Sequence, residues 1–72
     1  MKKSKFDIRR TVELEECGKF TATAGALNGI SIVLMEAANL NRRQGCEATA
    51  NLRERQSKQI YNALAKTGFY KG

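Results

Sequence analysis

The charged residues of this chain are distributed very unevenly along its length. Residues 22 to 41 contain no Lys or Arg and a single acid, Glu36, whereas residues 42 to 72 carry seven basic residues against only Glu47 and Glu54. An uncharged helical segment is typical of a buried helix, and a cation-rich one is typical of a solvated surface. The division therefore predicts one buried helix followed by one basic helix.

The length of the chain limits how stable a single copy can be. Its 72 residues form one domain, near the size at which one core gives only marginal stability, so self-association is expected. With 42% apolar and 28% charged residues the chain is expected to fold. No apolar run approaches the roughly 18 residues of a membrane span. We therefore expect a cytoplasmic homo-oligomer without a membrane-spanning segment.

The residue types available for catalysis and metal binding are few. The chain has no His, and Asp7 is its only aspartate. Cys17 and Cys46 stand at unrelated positions, which favours free thiols over a disulfide framework or a zinc site. No glycine-rich phosphate loop is present. The sequence therefore predicts a binding protein that is not an enzyme, with no catalytic residue, metal or cofactor.

The N-terminal third alternates between apolar and polar side chains, after a basic tail at residues 1–5 that is expected to be flexible. The alternation predicts a β-hairpin over residues 6–24, although Arg10 breaks it. A short helix ending before Gly18 is the alternative, supported by the spacing of Arg9 and Glu13. The apolar positions of the first strand are Phe6, Ile8, Val12 and Leu14.

The alternation also suggests a register for this hairpin. A three-residue loop of Cys17, Gly18 and Lys19 would place Leu14 opposite Ala22 and would keep the apolar side chains on one face. A two-residue loop would mix the faces. We therefore expect the longer loop.

A helix is predicted over residues 25–43. Most of its apolar side chains fall within one arc about 160° wide at 100° per residue. These are Ala26, Leu27, Ile30, Val33, Leu34, Ala37, Ala38 and Leu40. Asn28-Gly29 is a competing signal for a hairpin turn. Ile32 and Met35 lie outside the arc, where they would contact the hairpin or a second subunit.

A second helix is predicted over residues 46–67. Gly45 is placed to end the first helix in the left-handed conformation, and Gly68 follows the second, with Phe69 folding back onto it. The short connection favours antiparallel helices. The expected fold is thus α+β and mostly helical: a single domain over residues 6–72 in which an N-terminal β-hairpin precedes an antiparallel helical hairpin (ββαα), dimerising through the uncharged first helix.

The net charge of +6 indicates an anionic ligand, either nucleic acid or another polyanion. A nucleic-acid-binding regulator would hold phosphates with the basic helix face and the tail, and Tyr61 could stack on a base. The arginines of the first strand could enter a groove if that strand paired with its symmetry mate. The candidate binding residues are Arg9, Arg10, Arg42, Arg43, Arg53, Arg55, Lys58 and Tyr61.

Two polar residues on the apolar stripe of the second helix suggest an alternative function. Arg53 and Gln56 point toward the expected core, so they are either satisfied by polar neighbours or line a ligand pocket. In that second hypothesis the protein is a phage or mobile-element type of inhibitor. It would block a host protein or sequester a small anionic nucleotide between subunits, with Tyr61 beside Arg53 and Gln56.

Overall fold

A computed structural model describes residues 4–71, and it confirms the ββαα architecture. A short 3-10 helix, Lys5–Asp7, precedes strands β1 (Arg9–Leu14) and β2 (Gly18–Thr23) and helices α1 (Ala24–Arg43) and α2 (Glu47–Lys66). The antiparallel hairpin packs on the helical pair, with β1 against α2 and β2 against α1. Residues 1–3 of the predicted tail lie outside the described residues.

The hairpin has the predicted faces but a different register. Val12 pairs with Phe20 and Leu14 with Gly18, so the loop is residues 15–17 rather than the predicted 17–19. Because the loop still has three residues, each strand residue stays on its predicted face of the hairpin. Val12 and Leu14 are both buried against the helices. The predicted pairing of Leu14 with Ala22 is therefore wrong.

The position of the turn is determined by side chains of α2. The Glu15 backbone N–H donates to Gln59 Oε1 at 2.9 Å, and Gln56 Nε2 donates to the Glu15 carbonyl oxygen at 2.8 Å. Arg55 adds two bonds to the Glu15 carboxylate, at 2.8 and 2.9 Å. These contacts hold Glu15 in the loop, which excludes a turn two residues later.

The strand also begins later than its alternation predicts. Phe6 lies in the 3-10 helix, where the Ser4 hydroxyl accepts a bond from its N–H, and Ile8 forms the bend before β1. Phe6 lies so close to α1 that a Cβ on Gly25 would approach it to 3.3 Å. Gly25 therefore allows the N-terminal segment to cross the start of α1. The prediction that Phe6 and Ile8 belong to the first strand is therefore wrong, and β1 begins at Arg9.

The two helices begin and end close to the predicted residues. Thr23 caps α1 by accepting the Ala26 N–H, and Asn28-Gly29 lies inside the helix rather than in a hairpin turn. Gly45 and Gly68 follow α1 and α2 with φ of 83° and 81°. The N–H groups two residues beyond each C-cap bond back to Asn41 and Leu64 carbonyls. Both helices thus end in Schellman motifs.

The contact between the helices combines small residues with a buried polar pair. Ala38 and Ala50 are fully buried and allow close approach of the backbones. Ser57 Oγ donates to the Ser31 carbonyl at 2.7 Å, and the Ser31 hydroxyl lies 3.2 Å from the Ser57 carbonyl. Because each hydroxyl has a carbonyl partner, burying this pair leaves no hydroxyl unsatisfied.

The N-terminal segment and the C-terminus meet at one end of the molecule. Phe69 folds back as predicted and is buried with Leu27, Ile60 and Leu64. Its ring packs edge-to-face with the Phe6 ring, with the ring centroids 5.2 Å apart, and Lys5 Nζ donates to the Phe69 carbonyl at 2.8 Å. This cation lies at the C-terminal end of α2, where the helix dipole favours positive charge.

Candidate nucleic-acid interface

The predicted basic face of α2 is largely paired with carboxylates. Arg55 forms its two-bond ion pair with Glu15, and Lys58 Nζ lies 3.3 Å from Glu54. Arg42, at the end of α1, reaches Glu54 at 3.2 Å and Glu47 at 3.7 Å. A polyanion approaching this face would have to compete with these acids.

The ionisation of the acids reflects these pairs. The hydrogen bond from Arg55 lowers the pKa of Glu15, and the same bond raises the pKa of Arg55. Hydrogen bonding from Lys58, assisted by Arg42, lowers the pKa of Glu54. Glu15 and Glu54 therefore stay charged at neutral pH and offset the neighbouring cations.

The residues of the predicted nucleotide pocket have different neighbours. Gln56 is buried and bonded to the hairpin turn. Of the two interpretations of this residue, the one in which a polar neighbour satisfies it therefore applies. Tyr61 stacks on Tyr70 with ring centroids 4.8 Å apart, and Arg53 is half-buried with its Nε lacking a partner. The Tyr70 hydroxyl donates to Asn28 Oδ1 at 2.8 Å, and burial raises its pKa. Tyr61 and Gln56 are thus both engaged in contacts within the protein.

A different set of cations gathers where the two termini meet. We call this surface the cationic end. Arg9 is exposed on the outer face of β1, opposite Thr23, and Arg10 is half-buried on the inner face. Arg10 and Lys5 line one small cavity together with Ala24, at the start of α1, and residues 67–69 after α2. The cationic end comprises Lys5, Arg9, Arg10, Lys66 and Lys71.

The charge of the cationic end is poorly compensated. Within residues 4–71, none of its five cations lies within 4.0 Å of a carboxylate. Asp7 is the one acid in the segments that form this end. Lys2 and Lys3 precede the first residue of the cationic end, Lys5, in the sequence. The positive end of the α1 dipole lies on the same side, next to Ala24.

The outer face of the hairpin extends this surface with polar side chains. Thr11 and Thr21 lie opposite each other and share a hydroxyl hydrogen bond of 2.7 Å. Glu13 and Lys19 form the next cross-strand pair. Apart from Glu13, this face of the two strands presents only cations and hydroxyls.

The sequence predicted Arg9 and Arg10 as binding residues, but it did not predict that they lie close to Lys66 and Lys71. No short-range signal connects them, because the contact between Lys5 and Phe69 spans 64 residues. Arg43 is exposed at the opposite end of α1. The predicted residues therefore separate: Arg9 and Arg10 belong to the cationic end, Arg43 lies at the far end of α1, and the others lie on α2 or pair with its acids.

Comparisons with known proteins do not identify the chain. No protein-family model matches it, and neither a curated protein nor a solved structure does. Within residues 4–71 no helix is long and apolar enough to cross a membrane, and no three His, Cys, Asp or Glu residues form a metal-binding cluster.

Proposed function

We propose that this protein is a non-enzymatic nucleic-acid-binding protein that holds the phosphate backbone with its cationic end. The observation that carries the proposal is that five cations converge on one end of the molecule and have no carboxylate partner among residues 4–71. Polyanion binding gains most from cations that need not first give up an ion pair. Two exposed cysteines, Cys17 and Cys46, are free thiols and fit our proposal that it acts in the reducing cytoplasm.

The hairpin supports a groove as the place of contact. A two-stranded antiparallel ribbon fits the major groove of duplex DNA, and its outward side chains then face base edges and phosphates. Here that outward face carries Arg9, Thr11 and Thr21, all exposed. We propose that Arg9 and the threonines approach the groove while Lys66 and Lys71 contact the flanking backbone.

The number of cations sets the expected dependence on salt. Each phosphate contact with duplex DNA contributes about −0.9 to the slope of log affinity against log salt. Five contacts would lower the affinity on the order of several hundredfold between about 50 and 200 mM salt. Single strands should show a shallower slope, because they release fewer counterions per contact.

Fluorescence anisotropy with labelled duplex and single-stranded oligonucleotides tests the proposal. The double variant Arg9→Gln/Lys66→Gln should lose affinity and should reduce the duplex salt slope by about 2. The matched control is Arg55→Gln/Lys58→Gln, which removes one Arg and one Lys from the paired α2 face. Circular dichroism verifies that both variants are folded.

Three outcomes would contradict the proposal. Absence of binding at about 50 mM salt by the unmodified protein would eliminate nucleic acid as the ligand. A larger loss in the Arg55/Lys58 variant than in the Arg9/Lys66 variant would move the site to α2. Equal, small losses in both would indicate attraction by net charge without a defined site.

A further inference from the structure

Helix α1 has two parallel rows of side chains, and α2 covers only one of them. The inner row, at intervals of four and three residues, is Leu27, Ser31, Leu34, Ala38 and Asn41. Three of these residues are buried and Leu34 packs against the core. The residues immediately before them form a second row with the same spacing, which we call the outer seam. The outer seam comprises Ala26, Ile30, Val33, Ala37 and Leu40.

The outer seam is apolar but largely uncovered. Val33 is 62% exposed and Leu40 49% exposed, although both are large aliphatic residues. Alternating intervals of four and three residues are the heptad spacing that lets two helices interlock knobs into holes. The single wide apolar arc predicted from the sequence is therefore two seams. The inner row is covered, whereas in the outer seam Ile30 packs against the core and Val33 and Leu40 stay exposed.

The charge around the outer seam indicates what covers it. An acidic partner would be attracted by cations and a basic partner by acids, yet residues 22 to 41 hold no cation and only Glu36. Two copies of a protein of net charge +6 repel each other on most approaches. The outer seam is where two copies can meet with least repulsion, and its apolar spacing is complementary to itself.

We propose that two copies of the protein pair through their outer seams, with the two α1 helices antiparallel. In this register Ile30 faces Val33 of the partner subunit, and Ala26 faces Ala37 of the partner subunit. In these layers large residues meet large ones and small meet small, whereas Leu40 lies beyond them, opposite Thr23 of the partner subunit. Antiparallel α1 helices also place opposite dipole ends together. This inference does not rest on nucleic-acid binding.

The size of the seam predicts a weak dimer. From Ala26 to Leu40 there are fourteen rises of 1.5 Å, so the seam is about 21 Å long. A helix about 10 Å wide over that length covers less than the roughly 800 Å² per partner that stable interfaces bury. We therefore expect a dissociation constant in the micromolar range and a monomer–dimer equilibrium that responds to concentration.

Sedimentation velocity from about 5 to about 500 μM protein measures this equilibrium. Val33→Lys should raise the dimer dissociation constant at least about tenfold, because it places a charge in the seam of each copy. Ile32→Lys is the matched control: Ile32 is 53% exposed and adjacent, but it lies outside the outer seam, in a groove with Met35 and Tyr61. Its dissociation constant should stay within about twofold of that of the unmodified protein.

Each contrary result of that experiment overturns the proposal. A protein that is monomeric throughout the concentration range forms no such dimer. If Ile32→Lys dissociates the dimer and Val33→Lys does not, the two copies meet at the groove of Ile32, Met35 and Tyr61 instead of the outer seam. Circular dichroism of both variants excludes loss of folding as the cause.

Cysteine cross-linking tests the orientation. In a Cys17→Ser/Cys46→Ser background, Ala26→Cys and Ala37→Cys variants are oxidised separately and as a mixture. Antiparallel pairing predicts a disulfide between the two different variants in the mixture and little dimer from either alone. Efficient cross-linking of each variant with itself would overturn the antiparallel arrangement.

Discussion

Glu16, at the tip of the hairpin, has a strained backbone conformation. Its φ is 65°, which places a side chain with a Cβ in the left-handed region, and it is exposed. The turn is closed by the Cys17 N–H donating to the Leu14 carbonyl at 3.0 Å. Since α2 holds Glu15 beside it, the backbone has little freedom to relieve this strain.

Replacing Glu16 by Gly should stabilise the protein. Glycine removes a left-handed penalty of about 1 to 2 kcal/mol but adds about 0.5 to 1 kcal/mol of unfolded-state entropy, so a net gain of about 0.5 to 1 kcal/mol is expected. Urea denaturation measures this change. The control Glu16→Ala removes the same carboxylate and keeps the strain, so it should not gain. Equal stability of the Gly and Ala variants would contradict the strain argument.

At the scale of elements, the hairpin is attached to α2 through Glu15. Its backbone N–H, its carbonyl and its carboxylate each contact a different residue: Gln59, Gln56 and Arg55. The backbone bonds do not depend on pH, whereas the carboxylate pair does. The ion pair should therefore make part of the hairpin's attachment sensitive to acid.

The lowered pKa of Glu15 predicts the direction of that sensitivity. A carboxyl whose folded pKa lies below its ordinary value of 4.5 contributes its stabilisation above that value and loses it as the pH falls through the folded pKa. Glu15→Gln should thus be less stable than the unmodified protein at pH 6, and the difference between the two should disappear as the pH falls through the folded pKa of Glu15. Urea midpoints across this range provide the comparison.

Glu13→Gln is the control for this pH dependence, since it removes a carboxylate from the same hairpin without touching the contacts to α2. Its stability curve should run parallel to that of the unmodified protein. The stability of Glu15→Gln should still decrease somewhat as the pH falls, because the pKa of Glu54 is also lowered. If the Glu15→Gln variant and the unmodified protein lose stability identically between pH 6 and pH 3, the ion pair contributes nothing.

Local signals predicted the helices well and the hairpin only in part. Gly45 and Gly68 mark the helix ends through backbone conformation, which depends on neighbouring residues alone. The register depends on Glu15 being held by residues 40 to 44 positions later, which alternation cannot reveal. The same long-range pairs neutralise the α2 face, so a count of basic residues along the sequence overestimated its free charge.

At the scale of the whole molecule, the two proposals have a joint geometric consequence. The antiparallel register places the two-fold axis between residues 31 and 32, so each α1 begins about 11 Å from it. Because the cationic end adjoins the start of α1, the dimer would carry two such ends more than about 22 Å apart along the helix pair. A long duplex could contact both ends at once, whereas a short strand could contact only one.

The salt dependence of binding should therefore report the oligomeric state. Above the dimer dissociation constant, a duplex of about 30 base pairs should give the unmodified protein a slope about twice that of Val33→Lys, because twice as many phosphates are neutralised. Ile32→Lys carries the same added charge and remains dimeric, so it should keep the steep slope. With a single strand of about five nucleotides, all three proteins should give similar slopes. The unmodified protein and Val33→Lys could differ in sedimentation and still give equal salt slopes on the long duplex. That result would mean that the two cationic ends of a dimer do not bind one nucleic acid together.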